Sequence, residues 1–194
     1  MTSPANANLA TISEAIAQCA SNLEKLKAHA GDIARAGDIM IEALRRDCAI
    51  YFCGNGGSAA DAQHLAAELS GRFLKNRRPL PGAALTTNSS ALTAIGNDFG
   101  FDEVFSRPLE GCGKKGDVLV SLSTSGNTLN VVKAVDVARA LGMKTISLTG
   151  ERDSALSAKS DICLKVPSAS TPRIQEMHIL VGHILCELAE NAVT

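Results

Sequence analysis

In the stretch AADAQHLAAEL, His64 and Glu68 stand four residues apart. A helix there puts an imidazole and a carboxylate on one face, one turn apart. Such a pair can hold a cation or move a proton, and it is also an ordinary pair on a solvated helix face. Near the C-terminus, TPRIQEMHILVGHILCELAEN carries Gln175, His178 and His183. Three of the four histidines, 64, 178 and 183, therefore lie on two helical stretches, with only His29 elsewhere. His183 stands among Ile179, Leu180, Ile184 and Leu185. An imidazole in that setting is either a hydrogen-bonded core residue or a group with work to do.

A second kind of chemistry is written in two loops. IYFCGNGGSAADAQ and LVSLSTSGNTLNVV are each an apolar strand, a turn of Gly, Asn and Ser, and then a helix, about 70 residues apart. Each brings a helix N-terminus, with its free N–H groups and positive dipole end, to one edge of a sheet, and that arrangement favours an anion. STSGNT is the richer loop. Ser123, Thr124, Ser125 and Thr128 place four hydroxyls around Gly126. A single hydroxyl would be a helix cap, whereas four in six residues after a buried strand suit a phosphate monoester. In the other loop, Gly54, Gly56 and Gly57 allow a tight turn and a close approach of ligand to backbone. Ser58 followed by Asp61 reads as a capping box, which makes Asp61 structural. Neither loop carries the dinucleotide or the Walker pattern.

The elements that must position these groups alternate. Strand-length apolar runs cover 48–53, 82–87, 117–123, 144–150 and 161–166. Helical patterns cover 58–71, 89–96, 102–111, 127–141 and 172–191, the last opened by Thr171 as N-cap and Pro172. Alternation of this kind predicts an α/β fold, a doubly wound parallel sheet with helices on both faces and ligands at the carboxyl ends of its strands. Before it, Leu9, Ile12, Ile16, Leu23 and Leu26, then Ile33 to Leu44, predict two helices. They are expected to form an antiparallel pair packed on the domain or on a second subunit. The chain divides into N-terminal helices over 1–47 and the α/β unit over 48–194.

The 194 residues are 45% hydrophobic and 20% charged, with a net charge of −1. That is enough apolar surface for one real core, and it lacks the basic footprint of a nucleic-acid binder. No apolar run reaches membrane-spanning length, and the N-terminus does not read as a secretory signal. The six cysteines show no C-x-x-C spacing. Cys48, Cys53 and Cys163 read as small buried hydrophobes, and all six as free thiols of a cytoplasmic protein.

CGNGGSAADAQHLAAELSGRF, GNDFGF, SLSTSGNT and RIQEMHILVGHIL together resemble the bacterial phosphoheptose isomerases, which have the sugar-isomerase (SIS), flavodoxin-like fold. The resemblance runs from about residue 48 to the end and includes the N-terminal helices. It implies one zinc ion per chain on His64, Glu68, Gln175 and His183. It also implies sugar-phosphate contacts from Asn55, Gly56, Gly57, Glu68, Asn97, Asp98, Ser123, Thr124, Ser125, Thr128 and Gln175, with Arg72 as a further candidate. The assembly it implies is a homotetramer, without nucleic-acid or membrane partners. Gln175 and His183 are eight residues apart, about 12 Å along a helix axis. Either long side chains converge on the ion or another subunit completes the site.

The implied reaction is an aldose–ketose isomerisation of sedoheptulose 7-phosphate through an enediol(ate), the first step of heptose synthesis for surface polysaccharide. Glu68 would be the base and His183 the proton shuttle, with both catalytic residues present. The alternatives at this point are a non-enzymatic SIS protein that binds the replication initiator, an isomerase of another sugar phosphate, and a sugar-phosphate sensor. The first would not need an intact acid–base set, and the last usually carries a DNA-binding segment, of which the sequence shows none.

Overall fold

The computed structural model describes residues 4–193; Met1–Ser3 of the expected N-terminal unit and Thr194 lie outside the described residues. Helices α1 (Pro4–Leu26) and α2 (Ala30–Arg45) lead into β1 (Ile50–Gly54), α3 (Gly57–Ser70), β2 (Gly82–Ala84), α4 (Ser89–Asp98), α5 (Ser106–Cys112) and β3 (Val118–Leu122). Then follow α6 (Leu129–Ala140), β4 (Lys144–Thr149), α7 (Ala155–Lys159), β5 (Ile162–Lys165) and α8 (Thr171–Val193). The five strands form one sheet in the order β2-β1-β3-β4-β5, and every pairing is parallel. This is the flavodoxin-like order.

The α/β expectation holds, with shifts at the ends. β2 keeps three of its six expected residues, because the chain turns away after Ala84. The stretch expected as one helix over 102–111 divides into a 3₁₀ turn, Phe101–Glu103, and α5. Helix α7, too short to carry an apolar period, was not foreseen; a Ser154–Ser157 capping box starts it. Helix α8 begins one residue early: Ile174 N–H bonds the Ser170 carbonyl, so Thr171 is already in the first turn rather than its cap.

The sheet is covered on both faces, so its strands are apolar nearly throughout. One core cluster lies among β1, β3, β4, α2, α3 and α8, and includes Met40, Leu44, Phe52, Leu65, Ile146, Met177 and Leu185. The other, with Phe105, Leu109, Leu119, Val131 and Val135, lies under α5 and α6. The N-terminal helices are not an antiparallel pair. A single 3₁₀ turn, Lys27–His29, flanked by Leu26 and Ala30 in right-handed helical conformation, carries the chain from one to the other, and both pack on α8. Helix α2 buries Ile33, Ala36, Met40 and Leu44, whereas Leu9, Ile12 and Ile16 of α1 are more than half exposed. All six thiols are free; Cys53 and Cys186 are buried, while Cys48 and Cys163 are only partly so.

His178 is the histidine inside the core, at 0% exposure, whereas its neighbour in sequence His183 is not. Neither ring nitrogen of His178 makes a hydrogen bond of normal geometry. Burial pushes its pKa down to about 4 from 6.5, and the Thr149 backbone offsets only part of that. The unfolded chain takes up a proton near pH 6.5 that native His178 refuses. Stability is therefore full above pH 6.5 and falls as pH drops from 6.5 towards 4, by up to about 3 kcal/mol. We predict that His178→Leu flattens this part of the pH–stability curve, measured by urea unfolding at a series of pH values. An unchanged slope would show that His178 is not its source.

Candidate functional site

In a doubly wound sheet the crevice opens where the strand order reverses. Here that point lies between β1 and β3, which pair in register up to Gly54 and Leu122. Past those residues the chains diverge into the two loops singled out from the sequence. A cleft of about 300 Å³ separates them, lined by Asn55–Ser58, Leu122–Thr124, Thr128, Thr171 and Gln175. A second hollow of about 290 Å³ adjoins it and shares Thr124 and Thr171.

The STSGNT loop turns three hydroxyls toward one another. Ser123 Oγ lies 3.1 Å from Thr128 Oγ1 and 3.5 Å from Ser125 Oγ, and Ser125 Oγ lies 3.4 Å from Thr128 Oγ1. Thr128 is the N-cap residue of α6, yet its side chain caps nothing. Gly126 adopts φ +67° and donates its N–H to Ser123 Oγ. Facing this loop, Gly56 (φ +55°) is the N-cap residue of α3, with no side-chain cap. The expected Ser58–Asp61 capping box is therefore absent: the helix starts at Gly57, one residue before its supposed cap. Ser58 is buried instead. Gly57 is required for a different reason. A Cβ there would meet the Gln175 amide at 2.5 Å, so Gln175 on α8 lies in the space a side chain would fill.

Further along α3 and α8 a second cluster forms. His64 Nε2 lies 2.9 Å from His183 Nε2 and 3.1 Å from Glu68 Oε1, and one ligand atom from each of the three residues lies within 4.8 Å of the others. Two imidazoles and a carboxylate are the donor set of a catalytic zinc site, in which three protein ligands leave a position open. The residues present thus fit the implied ion. Asp61, one turn before His64, has a buried Oδ2 without a hydrogen-bond partner. Burial raises its pKa, and His64 and His183 offset this in part. It belongs to the surroundings of this cluster rather than to a cap, and its i,i+3 spacing from His64 was the available signal.

The structure joins His64, Glu68 and His183 in one group and Asn55, Gly56, Gly57, Ser123, Thr124, Thr128 and Gln175 around one cleft. Ser125 faces the adjoining hollow, its hydroxyl in the same cluster. It does not bring Asn97 and Asp98 there. Both are exposed at the end of α4, bonded side chain to side chain at 2.8 Å. Arg72 is exposed as well.

The sequence reading missed the residues that hold the second cluster in place. Arg77 and Glu190 form an ion pair at 2.9 Å with side chains only 3% and 1% exposed. Glu190 also accepts from the N–H groups of Phe73, Leu74 and Lys75. Arg77 donates to the carbonyls of Glu68, Leu69 and Gly71, which end α3 without helical partners. The segment so clamped places Phe73 in a stack on His183, ring centroids 5.6 Å apart. Arg77 and Glu190 are 113 residues apart in sequence, and nothing local marks them as partners.

The parallel sheet carries a cluster of hydroxyls at its switch point, and residues 14–150 match the family described as SIS domain, which makes the chain an SIS-domain protein. The chain is 58% identical to the phosphoheptose isomerase of Rhodospirillum rubrum, over 83% of this chain and 86% of the relative. It is 51% identical to that of Akkermansia muciniphila, over 90% and 92%. Among solved structures, the phosphoheptose isomerase of Neisseria gonorrhoeae superposes with a TM-score of 0.89 at 42% identity, over 94% of this chain and 98% of that one. The Francisella tularensis enzyme gives 0.91 at 35%, over 98% and 100%. The chain belongs to the phosphoheptose isomerase family and is an isomerase of the SIS class.

Burial pushes the Glu190 carboxyl up, but the N–H groups of Leu74, Lys75 and Phe73 and the Arg77 guanidinium outweigh this and hold its pKa below the usual value. Its contribution to stability is therefore full above the unfolded pKa near 4.3 and lost as pH falls through the lower folded value. Glu190→Ala leaves Arg77 buried and unpaired, at a cost of about 3–5 kcal/mol. We expect the melting temperature to drop by roughly 10 °C, with the geometry of the His64, Glu68 and His183 cluster disturbed through Phe73. A variant that melts like the parent would show that the clamp contributes nothing.

Proposed function

We propose that this chain converts sedoheptulose 7-phosphate to D-glycero-D-manno-heptose 7-phosphate, the entry step to heptose for surface polysaccharide. The observation that carries the reading is the placement of two unlike clusters on one helix. Gln175 of α8 lies at the hydroxyl-lined cleft, and His183, eight residues on, lies at the imidazole–carboxylate cluster. That is about 12 Å along the axis, the length scale of an extended sugar chain with a phosphate at one end and the reacting carbonyl at the other. The relatives' names and the family resemblance point the same way.

On this reading Ser123, Thr124, Ser125 and Thr128 hold the phosphate, helped by the N–H groups that begin α6. Asn55, Gly56, Gly57 and Gln175 line the sugar's path. Asn97 and Asp98, exposed in one chain, would reach substrate from a second subunit. Glu68 takes a proton from C1 of the ketose. The C1–H electron pair becomes the C1–C2 double bond, and the C2 carbonyl oxygen takes the negative charge. His183 carries a proton from O1 to O2; C2 is then reprotonated, leaving the aldehyde at C1. Zinc, one per chain on His64, Glu68 and His183, would polarise the sugar oxygens and stabilise negative charge; Gln175, the fourth expected ligand, lies at the cleft in this chain and would complete the ion's shell from another subunit. Loss of activity on chelation, restored by zinc, would check it.

The exposed apolar stripe Leu9, Ile12 and Ile16 on α1 supports assembly into a homotetramer through the N-terminal helices, which we read as the 1–47 interface unit of a cytoplasmic enzyme. No helix among the described residues is long and apolar enough to cross a membrane.

Incubation with sedoheptulose 7-phosphate should yield an aldoheptose phosphate, resolved by NMR; its absence with zinc-loaded protein would refute the proposal. Glu68→Gln should lower kcat by about 10²–10⁴-fold. Ser125→Ala should instead raise KM by about ten- to a hundredfold with kcat nearly unchanged, because a phosphate remote from C1 is bound alike in ground and transition states. A Ser125→Ala enzyme with unchanged KM would remove that loop from the phosphate site.

A further inference from the structure

We infer that Asn130, on the first turn of α6, is a positioning residue that fixes the width of the sugar-phosphate cleft through a reciprocal amide pair with Asn55. The inference rests on the reading of the two loops as the sugar-phosphate site. Asn55 Nδ2 donates to Asn130 Oδ1 at 2.9 Å, and Asn130 Nδ2 donates to Asn55 Oδ1 at 3.1 Å. The pair ties the residue that follows Gly54, where the β1–β3 ladder ends, to the first turn of α6. No other side-chain hydrogen bond joins residues 55–58 to residues 123–130 among the described residues.

Asn130 does not line the cleft and is 1% exposed, with buried Val131, Ala134 and Val135 on the same helix. An apolar residue would suit that environment better, since a buried amide adds to stability only when it is paired. Asn55 has the opposite character. It is partly exposed, lines the cleft, and starts the turn into α3 by accepting from Ser58 N–H through its carbonyl. Two amides that each donate and accept hold one relative orientation, which a single bond would not. The glycine loop, whose Gly56 and Gly57 approach the ligand with backbone alone, is thereby tied at one separation from the hydroxyl nest. A substrate that touches both loops requires that separation. Asn130 acts through Asn55 and touches no substrate.

The test is a double-mutant cycle in the full-length, zinc-loaded protein with sedoheptulose 7-phosphate as substrate. Asn130→Leu and Asn130→Ala should each raise KM about tenfold and leave kcat within about twofold, since loss of loop separation weakens binding in ground and transition states alike. The melting temperature of Asn130→Leu, which refills the core, should stay near that of the parent. In an Asn55→Ala background the same Asn130 substitutions should add little further to KM, because the partner they act through is gone. The inference is overturned if KM is unchanged, if kcat falls instead, or if the Asn130 effect is as large in the Asn55→Ala background as in the parent. Should Asn130→Leu fail to fold, the cycle with Asn130→Ala decides by the same criteria. A parent protein that does not turn over the substrate overturns the functional reading, and this inference with it.

Discussion

The site depends on helix α8 lying flat against α2, α3 and the sheet. Ile174, Met177, Val181, Leu185 and Ala189 recur at helical spacing and are all but inaccessible. With that stripe in the core, the rotation of the helix is fixed. At about 100° per residue, Gln175, His183 and Glu190 fall within roughly 80° of one another on an adjacent strip. One strip thus meets the loop cleft, the imidazole cluster and the clamp, in that order along the axis. The spacing between the two chemical ends of the site is a helix length, set by hydrophobic burial rather than by any polar contact.

The polar interactions then refine what burial has placed. Asn55 with Asn130 closes the loop end, and Arg77 with Glu190 closes the other. Both pairs are long-range, and at least one partner of each is almost fully buried. In a low-dielectric interior such groups are costly unless satisfied. Their use here coincides with the two places where the backbone leaves regular structure next to the site: the turn into α3 and the segment after it. By contrast the surface ion pairs, such as Lys27–Glu24 and Arg78–Asp47, join exposed side chains and position nothing.

The sequence by itself determined the α/β alternation, because strand-length apolar runs and helical periods differ in kind. It also marked the two loops, since glycines and hydroxyls at strand ends are local features, and it placed His64 with Glu68, because i,i+4 spacing is fixed by helix geometry. The family resemblance added His183 and Gln175. What it misread was equally local in appearance. A Ser58–Asp61 cap was expected, but Gly56 is the N-cap residue of α3 and Asp61 lies near the imidazoles. The two N-terminal helices were expected as an antiparallel pair packed on the domain or on a second subunit; both do pack on α8, but a 3₁₀ turn joins them and they are not paired with each other. Only the tertiary structure decided that His178 rather than His183 is the core histidine, that Asn97 and Asp98 stay exposed, and that Arg77 finds Glu190 and Asn55 finds Asn130. Those outcomes depend on which segments packing brings together across many residues of chain, and local spacing carries no record of that.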